Sequence, residues 1–239
     1  MGTRGLAAEL DKLRTLPAIG FAIVGAVLTG VVIAGALVAS AAAAGTPASV
    51  VEIVLAAVPF VQVPIIVLGV LPAGQEYDGR QIATTLVAMP DRARALAGKT
   101  MAATAVVGLG TALSVGAALT TGVIAAGVAE VTLTSATAPW RLAGAVGYLT
   151  IIGLLAHVVA VALRQLVPAL VATLALIVVI SPLSAGLTEH ARWLPDRAAS
   201  QLYADTDALL TTATGPLGAL AWIAAIGTLA AVRFIRLDP

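Results

Sequence analysis

Residues 17–40 read PAIGFAIVGAVLTGVVIAGALVAS, a run with no charged side chain anywhere in it. A helix rising about 1.5 Å per residue needs roughly 20 apolar residues to cross a hydrocarbon layer about 30 Å thick, so this stretch is long enough to span a bilayer. It is too long for the apolar core of a cleaved leader. It also follows Glu9, Asp11, Lys12 and Arg14 rather than a short, purely basic start, and is expected to stay as a span. Five more stretches of this kind follow at 50–71, 100–128, 142–163, 166–183 and 215–234, the third long enough to tilt.

The composition agrees with lipid as the solvent. Of 239 residues, 60% are hydrophobic and 10% charged, far below the quarter or so typical of soluble domains, and the mean hydropathy is +1.04. Aromatic residues make up only 4%, which argues against the aromatic girdles of an outer-membrane barrel. The absence of Cys removes disulfides, thiolate metal sites and Cys nucleophiles. A net charge of +1, with no Lys/Arg stripe, argues against nucleic acid as a partner. The expected fold is therefore all-α: a polytopic integral membrane protein of six transmembrane helices, forming a single domain over 1–239.

Charge sets the orientation. With the N-terminus inside, Arg4, Lys12, Arg14, Arg80, Arg92, Arg94, Lys99, Arg164, Arg233 and Arg236 face the cytoplasm, and Arg141, Arg192 and Arg197 lie outside. Dropping any one span would move the C-terminal arginines to the wrong face, so both termini are expected in the cytoplasm. Trp140 and Trp193 then fall at the outer interface, where an indole keeps its N–H near water.

Three segments lie between or before the spans. In residues 1–16, Leu6, Leu10, Leu13 and Leu16 form an apolar stripe, with Glu9, Asp11, Lys12 and Arg14 on the other face. This predicts an amphipathic helix on the inner leaflet, serving as an anchor or a partner contact. Residues 75–99, QEYDGRQIATTLVAMPDRARALAGK, form the long cytoplasmic segment. Ile82, Leu86 and Met89 make the apolar side of a short helix, Arg80, Gln81, Thr84 and Thr85 its polar side, and Pro90 its end. Flanked by Glu76 and Arg80, that helix is shaped to be pressed on by a soluble protein, although a solvated loop that only enforces topology fits the same residues. The outer segment 187–214 mixes Trp193, Leu202, Tyr203, Leu209 and Leu210 with Asp196, Asp205 and Asp207, and suits short helices capping the bundle.

Several motifs carry less than they suggest. Gly98, Lys99 and Thr100 spell the tail of a phosphate-binding loop, but the earlier glycine is replaced by Ala93 and no strand precedes it. No catalytic residue is assigned, and ATP hydrolysis by this chain is not expected. His157 and His190 have no helical partner to make a metal pair, so no metal site is expected. His157, inside the fourth span, and Glu52, near the outer start of the second, remain candidates for a transport path, because intramembrane ionisable groups are costly. Their plainer readings are a packed histidine and an interfacial carboxylate. Gly20, Gly25, Gly30 and Gly35 in the first span, and Gly108, Gly110, Gly116, Gly122 and Gly127 in the third, are expected to serve bundle packing. Pro59, Pro64 and Pro72 predict kinks.

Glu9, Leu10, Lys12, Leu13 and Arg14 match an E-L-x-K-L-R opening. Glu76, Tyr77, Gly79, Ile82, Thr84, Thr85 and Leu86 match E-Y-x-x-G-x-I-x-T-T-L, and Pro90, Arg92, Arg94, Leu96 and Lys99 match P-x-R-x-R-x-L-x-x-K. In these patterns the chain resembles, over nearly its whole length, the membrane subunits of type-2 ATP-binding-cassette exporters. The resemblance implies that Glu76, Tyr77, Gly79, Arg80, Ile82, Thr85, Leu86 and Met89 belong to a coupling helix that docks on a separate ATPase subunit, which would hold ATP and Mg. It further implies a second permease subunit, identical or homologous, and a bacterial cytoplasmic membrane as the location. Larger members carry fused ATPase or outer domains, and neither is seen here. Two other classes stay open: an ion-coupled secondary transporter, disfavoured by span interiors that offer little beyond His157, and a nontransporting scaffold or immunity subunit.

Overall fold

The computed structural model describes residues 3–78, 92–134, 138–204 and 209–236. Eight helices order the described chain: α1 (Thr3–Thr15), α2 (Pro17–Ala44), α3 (Val50–Asp78), α4 (Arg92–Val128), α5 (Trp140–Leu163), α6 (Leu166–Leu187), α7 (Pro195–Ser200) and α8 (Thr214–Arg236). A 3-10 turn at Glu189–Trp193 precedes α7. Six of these helices, all but α1 and α7, are long and apolar enough to cross a membrane.

Local chemistry sets the boundaries. Pro17 opens α2 without the N–H that a first-turn residue does not need, and it holds Leu16 extended at φ −83°, ψ 110°, which separates α1 from α2. Gly45 closes α2 at φ +61°. Its N–H donates to Ala42 and that of Thr46 to Ala41, the paired C-terminal bonds that a left-handed glycine permits. The α3 helix runs past its apolar stretch to Asp78, and α4 begins at Arg92, so both carry polar turns beyond the expected spans. Within α6, residues Ala175–Ile180 form a π-helical segment, and the N–H of Ser181 reaches Leu176. Pro182 follows and has no N–H to offer Val178, so the α ladder could not have continued there unbroken.

Packing along α2 follows the rule for lipid, with small residues inward and large ones outward, while Ile65, Ile66, Leu68, Leu149, Ile152 and Leu155 fill the centre between α3 and α5. The buried line of α2 is Ala22, Ala26, Gly30, Ala34 and Val38, while Phe21, Val24, Leu28 and Val32 are exposed. A methyl at Gly30 would press on the carbonyl oxygen of Ser114 in α4. One at Gly69 of α3 would collide with the carbonyl of Gly153 in α5, so those two helices meet backbone to backbone. About two-thirds of the spanning part of α3 is buried, against 17% for α8, which places α3 at the centre and α8 at the rim. Gly20, Gly25, Gly108, Gly116 and Gly127 have nothing within 4 Å of an added methyl, so the packing expected of them falls to Gly30, Gly110 and Gly122 instead.

The bundle has two chemically different ends. Lys12, Arg14, Arg92, Arg94, Lys99, Arg164 and Arg233 gather at one, the basic end, which is built from α1 and the adjoining termini of α3, α4, α5, α6 and α8. The opposite end carries Arg141, Arg192 and Arg197. There the two inter-helix segments pair through Ala48 and Leu133, with Ala48 donating to Thr132 at 3.1 Å. The short elements at Glu189–Trp193 and Pro195–Ser200 cap this end, and the indole N–H of Trp222 donates to the carbonyl of Trp193 at 2.8 Å.

Candidate functional site

The basic end holds a neutral cluster of four charges. Glu76 sits in the last turns of α3. One carboxylate oxygen accepts from Lys12 Nζ of α1 at 2.6 Å, and the other is paired with Lys99 Nζ of α4. Lys99 also lies 3.8 Å from Glu9. Glu9, Glu76 and Lys99 are buried, and only Lys12 reaches solvent appreciably. Removing charges from water costs several kcal/mol per ion, which only close, complementary pairing offsets, and two carboxylates against two ammonium groups supply it. Three helices are thereby tied at one carboxylate.

The α1 helix is amphipathic in a different sense from the one expected. Glu9 and Leu13 both turn toward the bundle, while Asp11 and Arg14 face away and Leu10 is half-buried. The charge of Lys99 is what draws Glu9 inward. Lys99 belongs to no phosphate loop: it lies within the early turns of α4 as the buried partner of Glu76.

Around this cluster lies a polar layer. The guanidinium of Arg164 stands 6.0 Å from the ring centroid of Tyr77. The Tyr77 hydroxyl, Gln75 Oε1 and Arg164 Nε are buried and make no hydrogen bond within the described chain. Arg164 takes a left-handed φ of 57° at the end of α5, and its Nη2 donates to the carbonyl of Arg233 at 2.6 Å. Of the proposed docking residues, Glu76 and Tyr77 are placed here. Gly79, Arg80, Ile82, Thr85, Leu86 and Met89 lie outside the described residues.

His157 is fully buried. Its Nε2 is 3.5 Å from Thr100 Oγ1 of α4, one residue beyond Lys99, and its Nδ1 has no partner within the described chain. It sits one turn from Gly153, where α5 crosses α3. Glu52 belongs to the opposite end, half-exposed and 2.8 Å from Arg141. The two residues singled out for a path are therefore not brought together. Among the described residues, no group of three His, Cys, Asp or Glu side chains could hold a metal ion.

Three polar links at and near the opposite end join residues that no sequence motif connects. The Tyr148 hydroxyl donates to Gln62 Oε1 at 2.7 Å, both buried between α5 and α3, and the Tyr148 ring meets that of Tyr203 edge-on at 5.1 Å. Arg141 joins this layer by donating to the carbonyl of Tyr203 at 2.5 Å. Ser181, just after the π segment, donates to Asp196 Oδ2 at 2.5 Å. Burial raises the pKa of Asp196, with the Ser181 hydrogen bond opposing, and burial followed by the charge of Asp196 pushes the phenol of Tyr203 up to about 12. A signal for Gln62 was present: beside Glu52, it is the one side chain in 50–71 that is neither apolar nor proline.

No family model, curated protein or solved structure matches the chain.

Proposed function

We propose that this chain is the membrane permease subunit of an ATP-driven exporter of the type-2 ATP-binding-cassette kind. It would move a hydrophobic or amphipathic substrate, such as a drug, antibiotic, peptide or lipid, across a bacterial cytoplasmic membrane by alternating access. A separate subunit hydrolyses ATP, and a second permease subunit, identical or homologous, completes the path. The reading rests on the sequence patterns at 9–14 and 76–99, and one observation carries it further: Glu76 ties α3 to both α1 and α4 immediately before segment 79–91.

A partner pressing on 79–91 would push on α3 and α4 together, because both helices enter that segment and share the Glu76–Lys99 pair. The same push reaches α1 through Lys12. Buried ion pairs switch between discrete arrangements rather than stretching, since a half-separated pair leaves two unpaired charges in a poor solvent. Nucleotide state on the partner could thus bias two arrangements of the bundle, which alternating access requires. The bias of cations supports the same geometry, placing the basic end toward the cytoplasm where an ATPase would dock.

The test is reconstitution of the full chain in liposomes with an ATP-binding-cassette ATPase subunit from the same cell. Substrate-stimulated ATP hydrolysis is expected in the assembled complex and is expected to fall at least tenfold, with partner binding weakened, when Ile82 and Leu86 are both replaced by Arg. Glu76→Gln is expected to uncouple hydrolysis from substrate and to weaken partner binding less than the double Arg change does. Flux that persists without the ATPase and disappears with the proton gradient would overturn the reading in favour of an ion-coupled carrier. No flux and no stimulation would overturn it in favour of a scaffold.

A further inference from the structure

The last part of α6, Ser181–Leu187, is a seven-residue helical piece with a break at each end. On one side the π segment Ala175–Ile180 and then Pro182 interrupt the α ladder, and both are established causes of a sharp bend in a helix. On the other side Thr188 is extended, at φ −151° and ψ 142°. The piece can therefore turn about both junctions without unwinding.

Little apolar burial holds it down. Leu183 and Leu187 are exposed, and a methyl at Gly186 would meet nothing within 4 Å. Its main neighbours are the turns that adjoin it in sequence, the π segment and Glu189–Trp193. The α7 helix, by contrast, packs against α5 and α8. Between the piece and α7 lies a polar cleft of about 350 Å³. Ala185, Thr188 and Glu189 wall it on one side, and Arg197, Ser200 and Gln201 on the other. Such a cleft supplies none of the apolar contact that fixes one element on another. One bond crosses to α7: Ser181, fully buried, donates to Asp196 Oδ2 at 2.5 Å. Among the described residues, no other hydrogen bond or ion pair joins Ser181–Leu187 to another helix.

We propose that Ser181–Leu187 is a strap at the end of the bundle opposite the basic one, hinged at the π segment and at Thr188 and latched to α7 by the Ser181–Asp196 hydrogen bond. When the latch opens, the strap swings from α7 and widens the polar cleft between them. In lipid the two exposed leucines are solvated in either position, so they do not oppose the swing. A segment with few buried apolar contacts opens more readily than the bundle around it. The balance then rests on one buried hydrogen bond to a carboxyl group, whose loss shifts the ratio of open to closed strap about tenfold. The part of α6 before the π segment keeps its packing on α3 and α5 and stays in place. The device does not depend on what the chain transports.

The chain has no Cys, so spin labels can be introduced in pairs on an otherwise unreactive background. Double electron–electron resonance on the full chain in lipid nanodiscs reads the distance between labels at Leu187→Cys and Leu217→Cys. Both positions are exposed, and Leu217 belongs to α8, against which α7 packs. A second pair, Val171→Cys with Leu217→Cys, follows the part of α6 before the hinge. One dominant distance is expected for each pair without further change. Ser181→Ala should raise the share of a second, longer distance about tenfold in the Leu187 pair and leave the Val171 pair as it was. Asp196→Asn, which keeps an acceptor for the Ser181 hydroxyl, should retain the closed distance in both. An unchanged Leu187 pair in Ser181→Ala would overturn the proposal. So would an equal change in the Val171 pair, which would mean that α6 moves as a whole rather than at the π segment.

Discussion

Lys99 and Glu76 form an ion pair in which each side chain is only 4% exposed, joining the start of α4 to the end of α3. With Lys12 on the other oxygen of Glu76, the carboxylate is the shared partner of two cations from two helices. Its removal takes the close partner from both, leaving Lys99 with only the more distant Glu9.

Glu76→Gln is expected to lower the unfolding free energy in mixed micelles by about 3–5 kcal/mol, the usual consequence of leaving a buried charge without its counter-ion. Replacing all four cluster residues with apolar residues of similar size, Glu9→Leu, Lys12→Met, Glu76→Leu and Lys99→Met together, should recover most of that loss. Denaturant titrations of the two variants decide the matter. If the quadruple variant is as unstable as the single one, the cluster stabilises by packing rather than by charge pairing.

Gly69→Ala should be far worse than its one added carbon suggests, because the methyl meets the carbonyl of Gly153 and backbone cannot rotate aside as a side chain can. A loss of about 1–3 kcal/mol follows from forced separation of α3 and α5. Gly116→Ala, with nothing within 4 Å, is expected to stay within about 0.5 kcal/mol of the parent. Similar losses in both would mean that helix flexibility, not close approach, sets the glycine requirement.

These two glycines show what the sequence could reveal and what it could not. The six spans were legible because length and apolarity are local properties, and the helices match them apart from added turns that carry them to Ala44, Asp78 and Leu187 and back to Arg92. The packing line of α2 was present in the sequence as Ala22, Ala26, Gly30 and Ala34, every fourth residue, yet is invisible when glycines alone are counted. The Gly69–Gly153 contact was not legible at all, because it depends on where two separate helices cross. The same holds for the cluster: Glu9, Lys12, Glu76 and Lys99 each stand out as charges beside apolar runs, but their convergence comes from tertiary packing. Placing Glu9 on the solvent side of α1 failed because helical periodicity weighs hydrophobicity and ignores a buried cation waiting on another helix.

Tyr148→Phe leaves Gln62 Oε1 buried without its 2.7 Å donor, and an unsatisfied acceptor costs about 1–3 kcal/mol. Gln62→Leu with Tyr148→Phe removes both ends of the bond and should be less destabilised than the sum of the two single changes. A double-mutant cycle on unfolding free energies reads the coupling directly. Additive losses would show that the two side chains stabilise α3 and α5 independently.

Asp196 gives the opposite end a pH response. Its carboxyl is buried and its pKa raised above the ordinary 3.8, so the folded chain holds this proton more tightly than the unfolded one. Folding then takes up a proton between the ordinary value and the raised one. Below that window both states are protonated and the residue imposes no penalty. As pH rises through the raised value, the folded chain must bury an ionised carboxylate and stability falls, levelling off above it. Ser181 and Arg197 limit the fall by favouring the charged form. Asp196→Asn keeps an acceptor for the Ser181 hydroxyl and cannot ionise, so its thermal midpoint in detergent should decline less than that of the parent between pH 4 and neutrality and lie above it at neutral pH. Every other side chain is the same in both proteins and cancels in the comparison. Parallel curves for the parent and Asp196→Asn would mean that the carboxyl gains enough from its neighbours to ionise without cost, and that Ser181 serves the π segment of α6 rather than this acid.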